Sequence, residues 1–204
     1  MTEVTFNGLS FSTRPGRVMS PRRATEQLVA AALERVGSSP ALVVDVGTGA
    51  GGIAVAIATG APHARVIATD TSRCAVALAR ANVRRHGLGD RVTVRHGDLL
   101  DPVPGTIDLV VANLPYLPAA DAALYPDLAG EPAAAVFASG DGLEPYRRLL
   151  SACAERLDDD GAVLLQLHRR VLAATRLELP ALHTRLAQTD WEPESELVPV
   201  PAVA

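Results

Sequence analysis

Asn113-Leu114-Pro115-Tyr116 follows the apolar run Ile107-Asp108-Leu109-Val110-Val111-Ala112. That order sets an amide, a kinked backbone and an aromatic ring at the carboxyl end of a buried strand. In open α/β sheets this is the edge where ligands bind. The Asn113 oxygen and the Leu114 carbonyl can each accept an N–H bond, and Tyr116 offers a π face. Together they suit a flat, conjugated group with a polar atom to be held, with Asn113 and Tyr116 as the reacting-site pair. Leu114, Pro115 and the loop residue Tyr125 are expected to line the acceptor pocket.

A second constellation lies upstream. Asp45-Val46-Gly47-Thr48-Gly49-Ala50-Gly51-Gly52 follows an apolar strand and opens a helix, and its glycines let backbone approach a ligand closely. Gly47, Gly49 and Gly52 alone also satisfy the dinucleotide fingerprint. Asp45 arbitrates: a carboxylate there repels a pyrophosphate and attracts an ammonium. The methionine part of S-adenosylmethionine fits, with S-adenosylhomocysteine as its product. Gly47, Thr48, Gly49 and Gly51 form the cofactor turn. Asp70 ends the next strand, where an acid can accept from ribose hydroxyls. Asp98 and Leu99 end the third, placed to receive an adenine amino group and to pack on its ring. An acid at one strand end is more often a turn former or cap; three at successive strand ends behind a glycine turn argue for a site. Asn113 adjoins this cofactor set as well as the acceptor.

The elements that position these residues alternate. Strands are predicted at 41–46, 65–69, 91–95, 107–112 and 162–167, and helices from Gly52, over 72–86 and over 143–157. Apolar strands alternating with helices mean a mostly parallel sheet covered on both faces. Asn7-Gly8 turns a hairpin arm whose Phe6 and Phe11 are packing residues, and Ser20-Pro21 opens a helix ending at Gly37. Residues 1–40 thus form an arm and helix packed on a core of residues 41–204, a single domain overall. Leu117–Phe137 reads as a long functional loop. In the tail, 184–189 is a candidate strand, while Pro199 and Pro201 are awkward in an interior strand. Tyr146 reads as packing, His86 as a helix-end residue, and His168 as a candidate base.

With 204 residues, 48% apolar and 21% charged, the chain can bury a sizeable core. A net charge of −4 gives no general attraction to nucleic acid. No metal-type cysteine spacing, signal peptide or membrane-length apolar run is present. Cys74 and Cys153 read as buried free thiols, which suits a reducing cytoplasm.

In this order the motifs resemble the class I S-adenosylmethionine-dependent methyltransferases, and specifically the HemK/PrmC group of protein-glutamine methyltransferases. The resemblance runs from about Arg14 to about Leu167. It takes in Met19–Glu26, Asp45–Gly52, Gly97-Asp98, Asn113–Tyr116, Glu131-Pro132 and Gly140–Arg148. It implies a three-layer Rossmann-like α/β fold with a seven-stranded sheet whose last strand is antiparallel. It also implies that Gly47, Gly49 and Asp70 contact the cofactor and that Asn113 and Tyr116 contact the acceptor. Three departures stand out: only about 40 residues precede the first core strand, where the bacterial enzymes carry a helical domain that holds the protein substrate; Leu114 replaces the first proline of the motif; and Gln166-Leu167-His168 stands where the family usually has a glutamate. The departures favour a small planar metabolite, an aromatic heterocycle or amide, as acceptor. The runner-up is a glutamine side chain on a translation release factor. Methylation of nucleic-acid amino groups is disfavoured by acidity, and a non-catalytic cofactor-binding partner protein is the reading from another class.

Overall fold

The computed structural model describes residues 1–168 and 195–201. Its main sheet is built from β3 (Leu42–Val46), β4 (Arg65–Asp70), β5 (Val92–His96), β6 (Ile107–Ala112), β9 (Leu157–His168) and β10 (Ser195–Pro201), in the spatial order β10-β9-β6-β3-β4-β5. Five strands run parallel and β10 pairs antiparallel with β9. The expected mostly parallel α/β sheet is there, but among the described residues it has six strands, not seven. The candidate strand at 184–189 lies outside the described residues. Pro199 and Pro201 do sit in a strand. Two positions apart, they share one edge of β10, and a proline costs no ladder bond where that edge faces away from the neighbour.

The strands read as unbroken apolar runs because alternate residues feed two different cores. Val43, Val66, Ala68, Leu109 and Val111 point into a cluster with α1 (Glu26–Val36), α2 (Gly52–Gly60) and α3 (Arg73–Arg85). Val44, Ile67, Val110, Val163 and Leu165 point the other way, against α5 (Glu144–Ala154). A two-residue period thus yields three layers. α1 starts at Glu26, later than Ser20-Pro21 suggests, because a single 3₁₀ turn over Arg23–Thr25 intervenes.

The arm is a hairpin of β1 (Thr2–Phe6) and β2 (Leu9–Thr13), turned at Asn7-Gly8 with both residues at positive φ. Phe6 and Phe11 are buried and meet edge to face with centroids 6.0 Å apart. The arm is fastened by polar bonds too: the Asn82 side chain on α3 accepts from Ser12 N and donates to Ser12 O, each at 3.0 Å. His86, at the end of α3, lies 2.9 Å from Ser10 O through Nε2.

Two expectations are corrected. Cys74 is exposed, since it faces outward on the first turn of α3, and only Cys153 is buried, its thiol pushed up to about 12 by desolvation. The segment after β6 is not a bare loop. It holds a two-residue strand β7 (Leu117–Pro118), two 3₁₀ turns, the short helix α4 (Ala133–Val136) and β8 (Phe137–Ala138), which pairs with β7. Alanine-rich sequence with proline breaks supports single turns rather than one long helix.

Candidate active site

The registers Val46↔Thr69, Val46↔Ala112 and Asp70↔His96 bring the carboxyl ends of β4, β3, β6 and β5 to one edge. Over that edge lies a cavity of about 560 Å³. Of the expected cofactor residues, Gly47, Gly49, Asp70, Asp98, Leu99 and Asn113 line it, with Leu114 and Pro115. Asp70 is held by its own turn: Oδ2 accepts from Gly49 N at 2.9 Å and Oδ1 from Ser72 N at 2.8 Å. Burial pushes its carboxyl above the usual range, with the two amides pulling the other way. Asp98 is paired with Arg148 of α5, which also lines the cavity. Leu99 holds a left-handed φ of 41°, and its carbonyl accepts from Thr69 Oγ1 at 2.9 Å.

Asp45 does not face this cavity, contrary to the expectation of a carboxylate set against an ammonium. It is fully buried. Oδ2 accepts from Thr48 Oγ1 at 2.6 Å and from Ala54 N at 3.1 Å, in the first turn of α2. Burial pushes its pKa up to about 7, against the two hydrogen bonds, and Oδ1 has no partner among the described residues. The turn is so tight that a helix amide, which needs an acceptor, claims the nearest carboxylate. Thr48 belongs to this brace and Gly51 packs 3.2 Å from Ala79, as measured to an added Cβ, so both shape the turn rather than line the cavity.

A second cavity, about 660 Å³, opens on the far side of Asn113-Leu114-Pro115, which line both. Tyr116 and Tyr125 line it, with Arg22, Thr25, Leu128 and Gln166. Asn113 is oriented from outside its own strand, because its Nδ2 donates to Thr25 Oγ1 at 3.2 Å and so presents Oδ1 as the accepting end. Burial raises the Tyr116 phenol above its usual range. Gly142 supports the motif from behind: with φ +86° it packs so closely on the Tyr116 carbonyl that no side chain fits there.

Leu114 joins the two cavities. Its Cδ2 lies 2.6 Å from where a Cβ on Gly47 would stand, so the Asn113–Tyr116 motif rests on the glycine turn. Its backbone is fixed by Tyr146, whose hydroxyl accepts from Leu114 N at 3.0 Å and lies 2.9 Å from both Leu114 O and Gln166 O. Tyr146 is fully buried, as packing predicts, but its hydroxyl is a brace that apolar spacing on α5 gives no sign of. Thr25, Arg148 and Gln166 were likewise outside the expected set; each reaches the site from an element distant in sequence. His168 ends β9, and its side chain lies outside the described residues.

A glycine turn, an acid after the second strand and an amide after the strand beside the first, all on one edge of such a sheet, define the methyltransferase class of Rossmann-like folds. The chain belongs to the methyltransferase small domain family, whose model matches residues 22–126. It is 42% identical to a release factor glutamine methyltransferase of Geobacter sulfurreducens over 79% of this chain and 57% of that protein. A protein of the same name from Deinococcus radiodurans is 37% identical over 94% of this chain and 66% of that protein. The chain therefore spans about three-fifths of the length of these curated relatives. Among solved structures the fold resembles a ribosomal protein L11 methylase of Lactobacillus delbrueckii subsp. bulgaricus, with a TM-score of 0.68, 22% identity and coverage of 93% of this chain and 83% of that one. It also resembles a methyltransferase of Pyrococcus furiosus, with a TM-score of 0.73, 16% identity and coverage of 97% and 90%. The relatives' shared name overturns the expectation of a small planar metabolite as acceptor. That reading leaned on Leu114 and on the short leading segment. Leu114 has a backbone carbonyl just as proline does, and the length before the first core strand does not bear on what the site itself accepts.

Proposed function

We propose that this chain transfers a methyl group from S-adenosylmethionine to the side-chain nitrogen of a glutamine in a protein, a release factor being the substrate its relatives' names suggest. The observation that carries the reading is the shared wall: Asn113, Leu114 and Pro115 belong to both cavities, so a donor in one meets an acceptor in the other across them. The first cavity suits the cofactor. Backbone without a Cβ at Gly47 and Gly49, the Asp70 carboxylate and the apolar Leu99 would hold its charged, ribose and ring parts respectively.

When bound, S-adenosylmethionine supplies an electrophilic methyl group. The chain's own work is positioning, which alone can supply about 7–11 kcal/mol of a barrier. An amide nitrogen is a poor nucleophile because its lone pair is delocalised. Asn113 Oδ1, pointed by Thr25, accepts an N–H of that amide and draws electron density toward nitrogen. As the N–C bond forms the S–C bond breaks, and the methylated amide, strongly acidic while it carries both hydrogens, gives up one proton to water. Tyr116 packs on the planar group, and Leu114 spaces it from Gly47. Titration calorimetry with S-adenosylhomocysteine tests the donor half. The expected result is saturable one-to-one binding that Asp70→Ala weakens; no binding by the wild-type chain contradicts the reading.

A further inference from the structure

The arm before α1 is held against the glycine turn at three points. The side chain of Asn82, fully buried on α3, donates to Ser12 O at 3.0 Å and to Ala50 O at 2.8 Å, so one amide joins β2 to the turn. Val18 is buried in a small cluster with Ala50, Ala75 and Leu78. The Met19 carbonyl lies 3.8 Å from where a Cβ on Gly49 would stand. Between the first point and the other two the chain makes one tight turn, in which Arg17 N and Val18 N both donate to Arg14 O at 3.0 Å. Arg17 is exposed on that turn, and it lines the first cavity together with Val18, Met19, Gly47 and Gly49.

Four charged side chains line that cavity among the described residues: Arg17, Asp70, Asp98 and Arg148. Asp98 and Arg148 pair with each other, and Asp70 accepts from two amides of its own turn. The Arg17 guanidinium has no hydrogen bond or ion pair among the described residues. We propose that Arg17 takes the carboxylate of the cofactor's methionine part, which makes the arm a component of the cofactor site. The inference rests on the S-adenosylmethionine reading and adds a binding residue to it. Turn amides are the ordinary alternative for holding an anion, but here they are occupied. Gly47 N and Thr48 N donate to Thr69 O, Gly49 N to Asp70 and Gly51 N to Thr48 O. A carboxylate in this cavity must therefore find a side-chain cation. A guanidinium presents paired N–H groups that match a carboxylate, and its long aliphatic stem lets the head turn from solvent onto a ligand.

The test is titration calorimetry of the full chain with two probes. One is S-adenosylhomocysteine; the other is its decarboxylated form, the same molecule with hydrogen in place of the carboxylate. Wild-type chain is expected to bind the first at least about tenfold more tightly than the second. In Arg17→Met this ratio is expected to shrink about fivefold or more, through weaker binding of S-adenosylhomocysteine alone, while the denaturation midpoint stays put. Arg17→Lys keeps the charge without the planar fork and is expected to give an intermediate ratio. Arg14→Met removes the same charge from the same turn at a residue that does not line this cavity, and is expected to leave both affinities within about twofold of wild type. An unchanged ratio in Arg17→Met, an equal weakening of both probes, or an Arg14→Met effect as large as that of Arg17→Met overturns the proposal. Binding of neither probe by the wild-type chain overturns the S-adenosylmethionine reading and this inference together; binding of both with equal affinity overturns the inference alone.

Discussion

The Tyr146 hydroxyl accepts the backbone N–H of Leu114 at 3.0 Å, and its own hydrogen lies within reach of the Leu114 and Gln166 carbonyls, each 2.9 Å away. One buried phenol therefore ties α5, β9 and the motif after β6. The N–H it receives exists only because this position is not proline. What the motif loses in fixed φ it regains as a hydrogen bond from a rigid helix. Tyr146→Phe leaves the Leu114 N–H buried and unpaired, at a cost of about 1–3 kcal/mol. Denaturant unfolding is expected to show that loss, and methyl transfer is expected to fall by more than S-adenosylhomocysteine affinity does.

Gly47 and Leu114 are mutually exclusive with any larger residue at position 47. An added Cβ there would stand 2.6 Å from Leu114 Cδ2, at a φ of +73°. Gly47→Ala pays about 1–2 kcal/mol in the backbone and pushes the acceptor motif aside. Both cofactor affinity and turnover are expected to drop. Adding Leu114→Ala is expected to recover part of the turnover and none of the backbone strain, which calorimetry and single-turnover kinetics separate.

Asp45 supplies a pH signature. Its carboxyl, ordinarily near 3.8, is pushed up to about 7 in the folded chain by burial. A raised folded value means that the protonated form is favoured by folding. The stability contributed by protonation is full below the unfolded value and is lost as pH rises through about 7. Asp45→Asn cannot titrate. The difference in unfolding free energy between wild type and variant, followed from pH 4 to pH 8, is expected to move against the wild type as pH rises; a flat difference contradicts the assignment.

Asn113 divides the two halves of the site. Its Oδ1 is aimed by Thr25 and is assigned to the acceptor. Asn113→Ala is expected to lower turnover about a hundredfold while S-adenosylhomocysteine binds within about threefold of wild type. Thr25→Val, which removes only the aiming bond, is expected to give an intermediate loss in kcat.

Much of this arrangement was legible in the sequence. Apolar strands between helices marked the parallel sheet, because burial on both faces leaves no alternation to confuse. Gly47, Gly49, Asp70 and Asn113 announced themselves by standing at strand ends. Asp45 did not, since nothing in the order Asp-Val-Gly tells whether a carboxylate turns toward a cavity or back to a helix amide at Ala54. Tyr146 reads from sequence only as packing, Gln166 only as a departure from the family pattern and Thr25 as neither, for a different reason. Each acts through a contact with a residue 20 or more positions away, and such contacts leave no local pattern. The short turns between Leu117 and Phe137 escaped because proline breaks leave no apolar run long enough to show a helical period, and the pairing of β7 with β8 joins residues distant in sequence.

Protein-glutamine methylation is read out by incubating the chain with a bacterial release factor and methyl-labelled S-adenosylmethionine, then mapping the label by peptide mass spectrometry. One methyl group is expected on the side-chain nitrogen of a single glutamine, lost with Asn113→Ala. No label on the factor, or label on a residue other than glutamine, would contradict it.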